Sequence, residues 1–248
     1  MRSSLTAVLC ICITSIAFAQ YDSKGEHEIS RFNPGFMWYY NGIKPAKPDS
    51  PRKYDRIIFD VTYNDWIGDR DPFQNKWNSI GLNTNLMADI PLAKGNKVAL
   101  GIGVCHQLIK IHHDNNIVGD DLTNTSALVP KDSLDTFNKS LFGSNIISVP
   151  LELRFRNEGW KHFKVHLGGR FGYRLNMFNK YYYDTENGKN IIKKVGFPDQ
   201  SDWVYSAYVR IGLRNWALYG SYTFNPLFTS ANSTKLNIVQ FGLSISLF

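Results

Sequence analysis

Residues 145–176 read NIISVPLELRFRNEGWKHFKVHLGGRFGYRLN, and this stretch decides the fold of the chain. Two runs within it, 147–155 and 163–175, alternate apolar and polar side chains with a period of two, which is typical of amphipathic β-strands. Residues 157–161 between the runs predict a tight turn. Arginine, glutamate, lysine and histidine occupy the polar positions in mid-strand. A charged inner face and an apolar outer face predict two strands of an outer-membrane β-barrel.

The start of the chain has the pattern of a secretory signal peptide. Arg2 precedes an apolar run that ends in the small-aromatic-small sequence closing at Ala19. We therefore expect residues 1–19 to be a signal peptide and the mature chain to begin at Gln20. Cys105 is then the single mature cysteine, which excludes an intramolecular disulfide bond.

Residues 20–53 are polar and carry four prolines, which predicts a periplasmic N-terminal arm. Its aromatic segment 36–40 is expected either to pack against the periplasmic rim or to dock another envelope protein. The barrel is expected to occupy residues 54–248.

The rest of the chain repeats the alternating pattern. The expected strands cover about 54–64, 77–90, 98–111, 145–156, 163–176, 203–213, 216–224 and 236–247. The expected connections are long at 66–76, 112–144, 177–202 and 225–235, and short at 91–97, 157–161 and 214–215. This alternation is typical of long extracellular loops and short periplasmic turns, with both termini in the periplasm. The predicted fold class is all-β, an eight-stranded antiparallel transmembrane β-barrel.

Aromatic residues make up 14 % of the chain, and interfacial belts on a barrel account for them. The expected outer belt contains Tyr63, Trp66, Trp77, Tyr173, Trp203, Tyr205 and Tyr222. The expected inner belt contains Phe155, Trp160, Phe163 and Trp216.

The net charge of +7 and the pI near 9.2 would suit nucleic acid or anionic lipid as a partner. The basic residues are spread over strands and loops, and the sequence has no helical reading motif. We therefore exclude nucleic acid and expect outer-membrane lipid and lipopolysaccharide as partners.

Three segments resemble the Bacteroidota outer-membrane β-barrel proteins that are grouped with the PorT family and with porin-like barrels. They are DRIIFD at 55–60, VPLELRF at 149–155 and FGLSISLF at 241–248. The resemblance extends over residues 54–248. It implies a Gram-negative outer-membrane location and insertion by the barrel-insertion machinery. Most proteins of this family have no assigned activity, and named relatives take part in secretion or envelope assembly.

The end of the chain is the expected insertion signal. It comprises Phe241, Leu243, Ile245, Leu247 and Phe248. The first four are in the outward phase of the last strand, whereas the terminal phenylalanine is one residue out of phase.

A set of charged residues occupies inward positions of the predicted strands. It contains Asp60, Asp89, Glu152, Arg154, Lys164, His166, Arg170, Arg174 and Arg210. Side chains fill the interior of an eight-stranded barrel, and charges removed from water need partners, so we predict a packed salt-bridge network. The alternative is a narrow, anion-preferring channel.

Positions along the strands predict the partners within this network. We expect Asp60 and Glu152 near Arg170 at mid-height. Asp89 should lie lower, with Arg154, Lys164 and Arg210. Pro150 lacks an N–H donor and predicts a bulge that re-aims Glu152.

Three histidines, His106, His112 and His113, lie near the outer end of strand 3 and the start of the loop after it. With a loop serine and an acid such as Asp114 or Asp120 they would suit a rim lipid-modifying hydrolase, the third function considered. The sequence has no nucleophile elbow, phosphate loop or Cys-x-x-Cys pair, and adjacent histidines on a strand point to opposite faces. We therefore predict no enzyme activity, no metal and no cofactor.

The function predicted from the sequence is a structural or interaction role. The chain would be an accessory subunit of an envelope or secretion complex, contacting partners through the loops 112–144 and 177–202 or through the arm.

Overall fold

A computed structural model of the protein describes residues 56–69, 75–93, 97–132, 137–157, 163–185, 188–213 and 215–247. The expected signal peptide and arm, Trp160 and Phe248 lie outside the described residues. All regular secondary structure in the described residues is β-strand. No helix in this part of the chain is long and apolar enough to cross a membrane.

The described chain contains eleven strands. In chain order they are β1 (Ile57–Gly68), β2 (Ile80–Pro91), β3 (Val98–His113), β4 (Asn116–Asp120), β5 (Thr125–Val129), β6 (Lys139–Arg156), β7 (Phe163–Thr185), β8 (Gly188–Val195), β9 (Trp203–Leu213), β10 (Trp216–Thr223) and β11 (Leu236–Ser246).

Eight of these strands form a closed barrel. The sheet order runs β6, β3, β2, β1, β11, β10, β9, β7, and the additional pairing of β6 with β7 closes the ring. Every neighbouring pair is antiparallel, including β1 with β11. The predicted eight-stranded antiparallel barrel is confirmed.

The alternation seen in the sequence sets the two faces of the wall. Apolar side chains on the outside are exposed around the ring, as Val61, Leu86, Val149, Leu167 and Leu243 show on five strands. The residues between them face inward and are buried and polar. A polar interior with an apolar outer band is the arrangement of a transmembrane barrel.

At the end of the barrel with the long connections, β3, β6 and β7 extend past the apolar band. They carry the hairpin β4–β5 and the edge strand β8. We call this part the cap. The expectation of polar loops at 112–144 and 177–202 is therefore wrong in large part, because both contain β-strands. The strands persist because their inward positions become apolar and pack under the hairpin, as Ile111 and Phe142 do.

Trp66 also belongs to the cap rather than to the outer belt. It continues the inward phase of β1 and is 1 % exposed. Its place in the belt was wrong because β1 runs further outward than the sequence indicated. Trp203 and Tyr173 do lie on the outer wall, and the indole of Trp203 stacks 4.9 Å from the ring of Phe171.

A β-bulge lies between the barrel wall and the cap. Ile146 pairs with Arg174 and Asn145 with Asn176, so Leu175 is an extra residue on β7. It reverses the phase of β7, so that even-numbered residues such as Arg174 point inward below the bulge and odd-numbered residues such as Met177 point inward above it.

The bulge predicted at Pro150 is wrong. The register of β3 against β6 is the same before and after it, with Ile102 opposite Leu151 and Cys105 opposite Ser148. Proline removes a donor from the ladder here without inserting a residue, so the ladder has a gap and no shift.

Candidate functional site

A buried ion cluster fills the middle of the lumen, with Arg210 at its centre. From β9, Arg210 donates Nε to Asp60 Oδ1 at 2.9 Å and Nη2 to Asp60 Oδ2 at 2.8 Å. Its Nη1 donates to Glu152 Oε1 on β6. All three side chains are buried, so one guanidinium joins two carboxylates away from water.

Arg170 on β7 reaches the same carboxylate from another side. Its Nη2 lies 3.4 Å from Asp60 Oδ2 and donates to Asn85 Oδ1 at 3.2 Å, while Nη1 donates to the Tyr219 hydroxyl at 2.6 Å. Its guanidinium carbon lies 4.0 Å from the centre of the Tyr208 ring. The structure thus places Arg170 beside Asp60, and aromatic faces occupy its remaining surroundings.

Glu152 is held from several directions. It accepts hydrogen bonds from Arg154 Nε at 2.7 Å and from the Tyr208 hydroxyl at 2.7 Å, in addition to Arg210. His166 Nδ1 lies 3.5 Å from its second oxygen. Its carboxylate therefore contacts groups on β6, β7 and β9.

A second cluster lies towards the inner end of the barrel. Arg154 Nη1 donates to Asp89 on β2, and Arg156 Nη1 lies 2.8 Å from the other oxygen of that carboxylate. Lys164 donates to Ser246 Oγ at 2.9 Å. Arg156 was missing from the predicted set, although it follows the inward phase of its strand.

The expectation that Arg210 lies with Asp89 is wrong. Arg210 crosses the lumen to Asp60 and Glu152 instead. The strand pattern gives the height at which a side chain enters the lumen. It does not give the direction in which a long arginine crosses it.

Two glycines make room for the side chains that cross the lumen. A Cβ on Gly101 would lie 2.6 Å from Arg154 Nε, and a Cβ on Gly168 would lie 2.5 Å from Cζ of Tyr208. Because real Cβ atoms do not approach so closely, these positions admit only glycine unless the cluster shifts.

The described lumen contains more cations than carboxylates. Six cationic side chains, namely Arg154, Arg156, Lys164, Arg170, Arg174 and Arg210, stand against the three carboxylates Asp60, Asp89 and Glu152. Six minus three leaves an excess of three positive charges. Arg174 donates Nη1 to Met177 Sδ at 2.9 Å and, within the described residues, forms no ion pair with a carboxylate.

An apolar cluster lies at the outer mouth above these ions. It consists of Trp66, Ile109, Ile111, Ile117, Leu128, Phe142, Ile146, Met177, Phe197, Val204, Leu227, Phe228, Leu236 and Ile238. The Trp66 ring lies 5.4 Å from the Phe142 ring, edge to face. The sequence carried a signal for this cluster, since Ile109 and Ile111 continue the inward phase of β3 with apolar residues.

A buried aspartate joins three segments of the cap. Asp199 accepts hydrogen bonds from Ser126 of β5 and from Ser233 and the Ser230 amide of the segment before β11. Its backbone carbonyl accepts from the Thr229 hydroxyl at 3.0 Å. These hydrogen bonds fix the hairpin β4–β5 over the mouth.

The expected hydrolase site is only partly assembled. Ser140 Oγ lies 2.9 Å from His113 Nδ1, and His113 Nε2 lies 3.2 Å from Asn179 Oδ1. All three residues are fully buried, and the third member is an amide rather than an acid. Burial lowers the pKa of His113 to about 4. This group lies in the cap, beyond the apolar band, and a lipid substrate would have no access to it.

The two aspartates considered for the hydrolase site, Asp114 and Asp120, interact with other residues. Asp114 pairs with Lys76 at 2.7 Å, and Asp120 accepts hydrogen bonds from Thr123 and the Leu122 amide. Within the described residues, no three His, Cys, Asp or Glu side chains are grouped to hold a metal ion.

The expected insertion signal lies on the outer wall of β11. Phe241 and Leu243 are exposed there, and Ile245 and Leu247 are half-buried in the same phase. Phe248 lies outside the described residues.

No protein-family model matches the chain, and no curated protein sequence matches it. Among solved structures, the chain is similar to Ail, the attachment invasion locus protein of Yersinia pestis. The two share 13 % sequence identity over 78 % of this chain and 96 % of that chain, with a TM-score of 0.35. A likeness at this level carries no argument about function, and the resemblance to the Bacteroidota PorT family stays a prediction.

Proposed function

We propose that the protein is a non-enzymatic outer-membrane barrel with a structural or interaction role, acting as an accessory subunit of an envelope or secretion complex. The observation that carries this proposal is the apolar cluster that lies over a packed ionic lumen. A barrel blocked at two levels offers its surface, not its interior, to other molecules.

The two blocks have different physical origins. In the middle, Arg210, Asp60 and Glu152 occupy the space that water would need, and each charge is satisfied by a neighbour. Above them, rings such as Trp66 and Phe142 exclude water because their burial is favourable. Opening a path would require breaking ion pairs and exposing apolar surface at the same time.

The cap supplies the surface for partners. Leu122 lies in the turn between β4 and β5 and is 97 % exposed, and β8 forms an edge of the sheet. In the proposed orientation the short connections face the periplasm, so the cap faces the exterior and both termini face the periplasm. The arm 20–53 and the machinery that inserts barrels remain the proposed periplasmic contacts.

Planar-bilayer conductance tests this proposal. We expect the purified barrel to be silent. A variant with Asp60→Asn and Glu152→Gln should also stay silent, because the apolar cluster still closes the mouth. Steady conductance steps of the unmodified barrel that change in this variant would contradict the proposal.

The second candidate is a narrow anion channel, and one observation favours it. The described lumen has an excess of positive charge, and Arg174 lies beneath the cap with no carboxylate paired to it in this part of the chain. Anion-selective steps that disappear in Arg174→Gln would support the channel. Silence of both proteins would support the closed barrel.

A further inference from the structure

Four lysines lie on the outward face of the cap, on the parts of β3, β6, β7 and β8 that form it. They are Lys110, Lys139, Lys180 and Lys193, and we call them the lysine face. The phase of β7 fixes their orientation. Met177, Asn179 and Tyr181 point into the cap, so Phe178, Lys180 and Tyr182 point outward.

The lysine face concentrates positive charge. Lys180 stands directly opposite Lys193 across the β7–β8 ladder, and like charges at such positions repel. Both ammonium groups lie near the Phe178 ring, at 5.4 Å and 4.6 Å from its centre. Lys139 lies 5.0 Å from the Tyr182 ring.

No carboxylate in the described residues forms an ion pair with any of these four lysines, whereas Lys76 nearby is paired with Asp114. The effect reaches His112 on the same face. Its pKa is lowered, first by partial burial and then by Lys139, Lys76 and Lys110. Within the described part of the cap, the lysine face therefore carries positive charge that no ion pair neutralises, with aromatic rings beneath it.

The position of the lysine face selects its ligand. On the same wall just below it, β7 presents Phe171, Tyr173 and Leu175 as exposed side chains that suit lipid. From Leu175 to Lys180 a tilted strand rises roughly 12 Å, at about 3.3 Å per residue and about 45°. The headgroup layer extends roughly 5–8 Å beyond the hydrocarbon on each side of a bilayer. The lysine backbone atoms therefore lie a few ångströms beyond the headgroup layer, and the long side chains can reach back to the headgroup phosphates.

We propose that the lysine face binds the phosphate groups of outer-leaflet lipid. This inference rests on the proposed insertion of the barrel in the outer membrane. Lipid fits better than an acidic protein, because the lysines lie on the side wall continuous with the lipid-facing surface. Ile191 and Val195, exposed beside them on β8, suit the interfacial layer.

Lipid A titrated into the barrel in neutral-detergent micelles tests the inference. We expect diphosphoryl lipid A to bind more tightly than lipid A stripped of its phosphates, and added salt to weaken the difference. The variant Lys180→Gln with Lys193→Gln should bind diphosphoryl lipid A about 25-fold more weakly, at about fivefold per lysine. Lys180→Arg with Lys193→Arg should restore binding.

A matched control removes two lysines from other exposed sites, with Lys97→Gln and Lys235→Gln. It should bind diphosphoryl lipid A as the unmodified barrel does. Heat-dependent gel mobility checks that each variant is folded, and insertion into phosphatidylcholine vesicles checks the membrane assignment separately. Equal binding of both lipids, or an equal loss in the control, would overturn the inference. Displacement of the lipid by equimolar inorganic phosphate, or tighter binding of polyglutamate than of lipid A, would also overturn it.

This inference and the proposed function can fail separately. A barrel that conducts ions yet binds diphosphoryl lipid A through Lys180 and Lys193 would contradict the closed lumen alone. A silent, inserted barrel that does not distinguish the two lipids would contradict the lysine face alone.

Discussion

Arg210 and Asp60 form a two-point ion pair across the lumen, with Nε to Oδ1 at 2.9 Å and Nη2 to Oδ2 at 2.8 Å. Arg210→Met would leave Asp60 and Glu152 buried with fewer partners. Removing one member of a buried pair typically destabilises a protein by about 3–5 kcal/mol, so we expect a loss of that size in the free energy of unfolding. Urea unfolding of the barrel in phosphatidylcholine vesicles measures it.

The surface ion pair of Lys76 with Asp114 provides the control. Its side chains are 39 % and 54 % exposed, so Lys76→Met should change the free energy of unfolding by less than about 1 kcal/mol. Equal effects of Arg210→Met and Lys76→Met would show that the lumen pair is not buried as described.

Substitution of the neighbouring residues Gly168 and Gly169 by alanine should have different effects on the free energy of unfolding. A Cβ on Gly168 would lie 2.5 Å from Cζ of Tyr208, whereas a Cβ on Gly169 would lie 3.8 Å from the Ser206 carbonyl oxygen. Gly168→Ala should therefore lower the free energy of unfolding by about 1–3 kcal/mol, as overpacking does. Gly169→Ala on the outer wall should be neutral or slightly stabilising. If the two variants unfold at the same urea concentration, the Tyr208 ring does not pack across Gly168.

The barrel wall could be predicted from the sequence because its signal is local. In residues 147–155 and 163–175 the period of two indicates whether each side chain faces the lumen or the outside of the barrel. The structure has the same alternation. The inward charges follow from the same rule. Their partners do not, because Arg210 reaches a strand that is not its neighbour.

The cap could not be predicted in the same way. The segments around β4, β5 and β8 are short and rich in asparagine, serine and lysine, which indicates loops. They form strands because they pair with one another and with the extension of β7. Trp66 was assigned to the interface by residue type, whereas its inward phase on β1 indicated the core.

Alanine substitutions of Trp66 and Trp77 test whether Trp66 belongs to the packed core of the cap or to the exposed aromatic belt. Trp66 is 1 % exposed in the apolar cluster, and Trp77 is 85 % exposed. Trp66→Ala should lower the free energy of unfolding by about 3–5 kcal/mol, the usual loss for a buried tryptophan. Trp77→Ala should change it little in micelles. Limited proteolysis reports where the loss occurs, since a loosened cap should be cut near the hairpin β4–β5 while the barrel stays intact. Equal, small effects of both variants would place Trp66 outside a packed core.

His113 makes the cap sensitive to acid. Burial lowers its pKa to about 4 from a usual value of 6.5, and the hydrogen bond to Asn179 and the charge of Asp114 raise it only in part. Ser140 and Asn179 face it from β6 and β7, and neither carries a negative charge that would offset the cost of burying an imidazolium. Between these two pKa values the unfolded chain binds more protons than the folded one.

The stability of the cap should therefore be full above about pH 6.5 and fall as the pH approaches 4, by about 3 kcal/mol at most. Urea midpoints between these two pH values, followed by the emission of the buried Trp66, measure the slope. The variant His113→Gln keeps a polar side chain and removes the titration, so the part of the slope that belongs to His113 should disappear. A slope that is the same in the variant would assign the acid sensitivity to other groups and would show that His113 is not buried as a neutral imidazole.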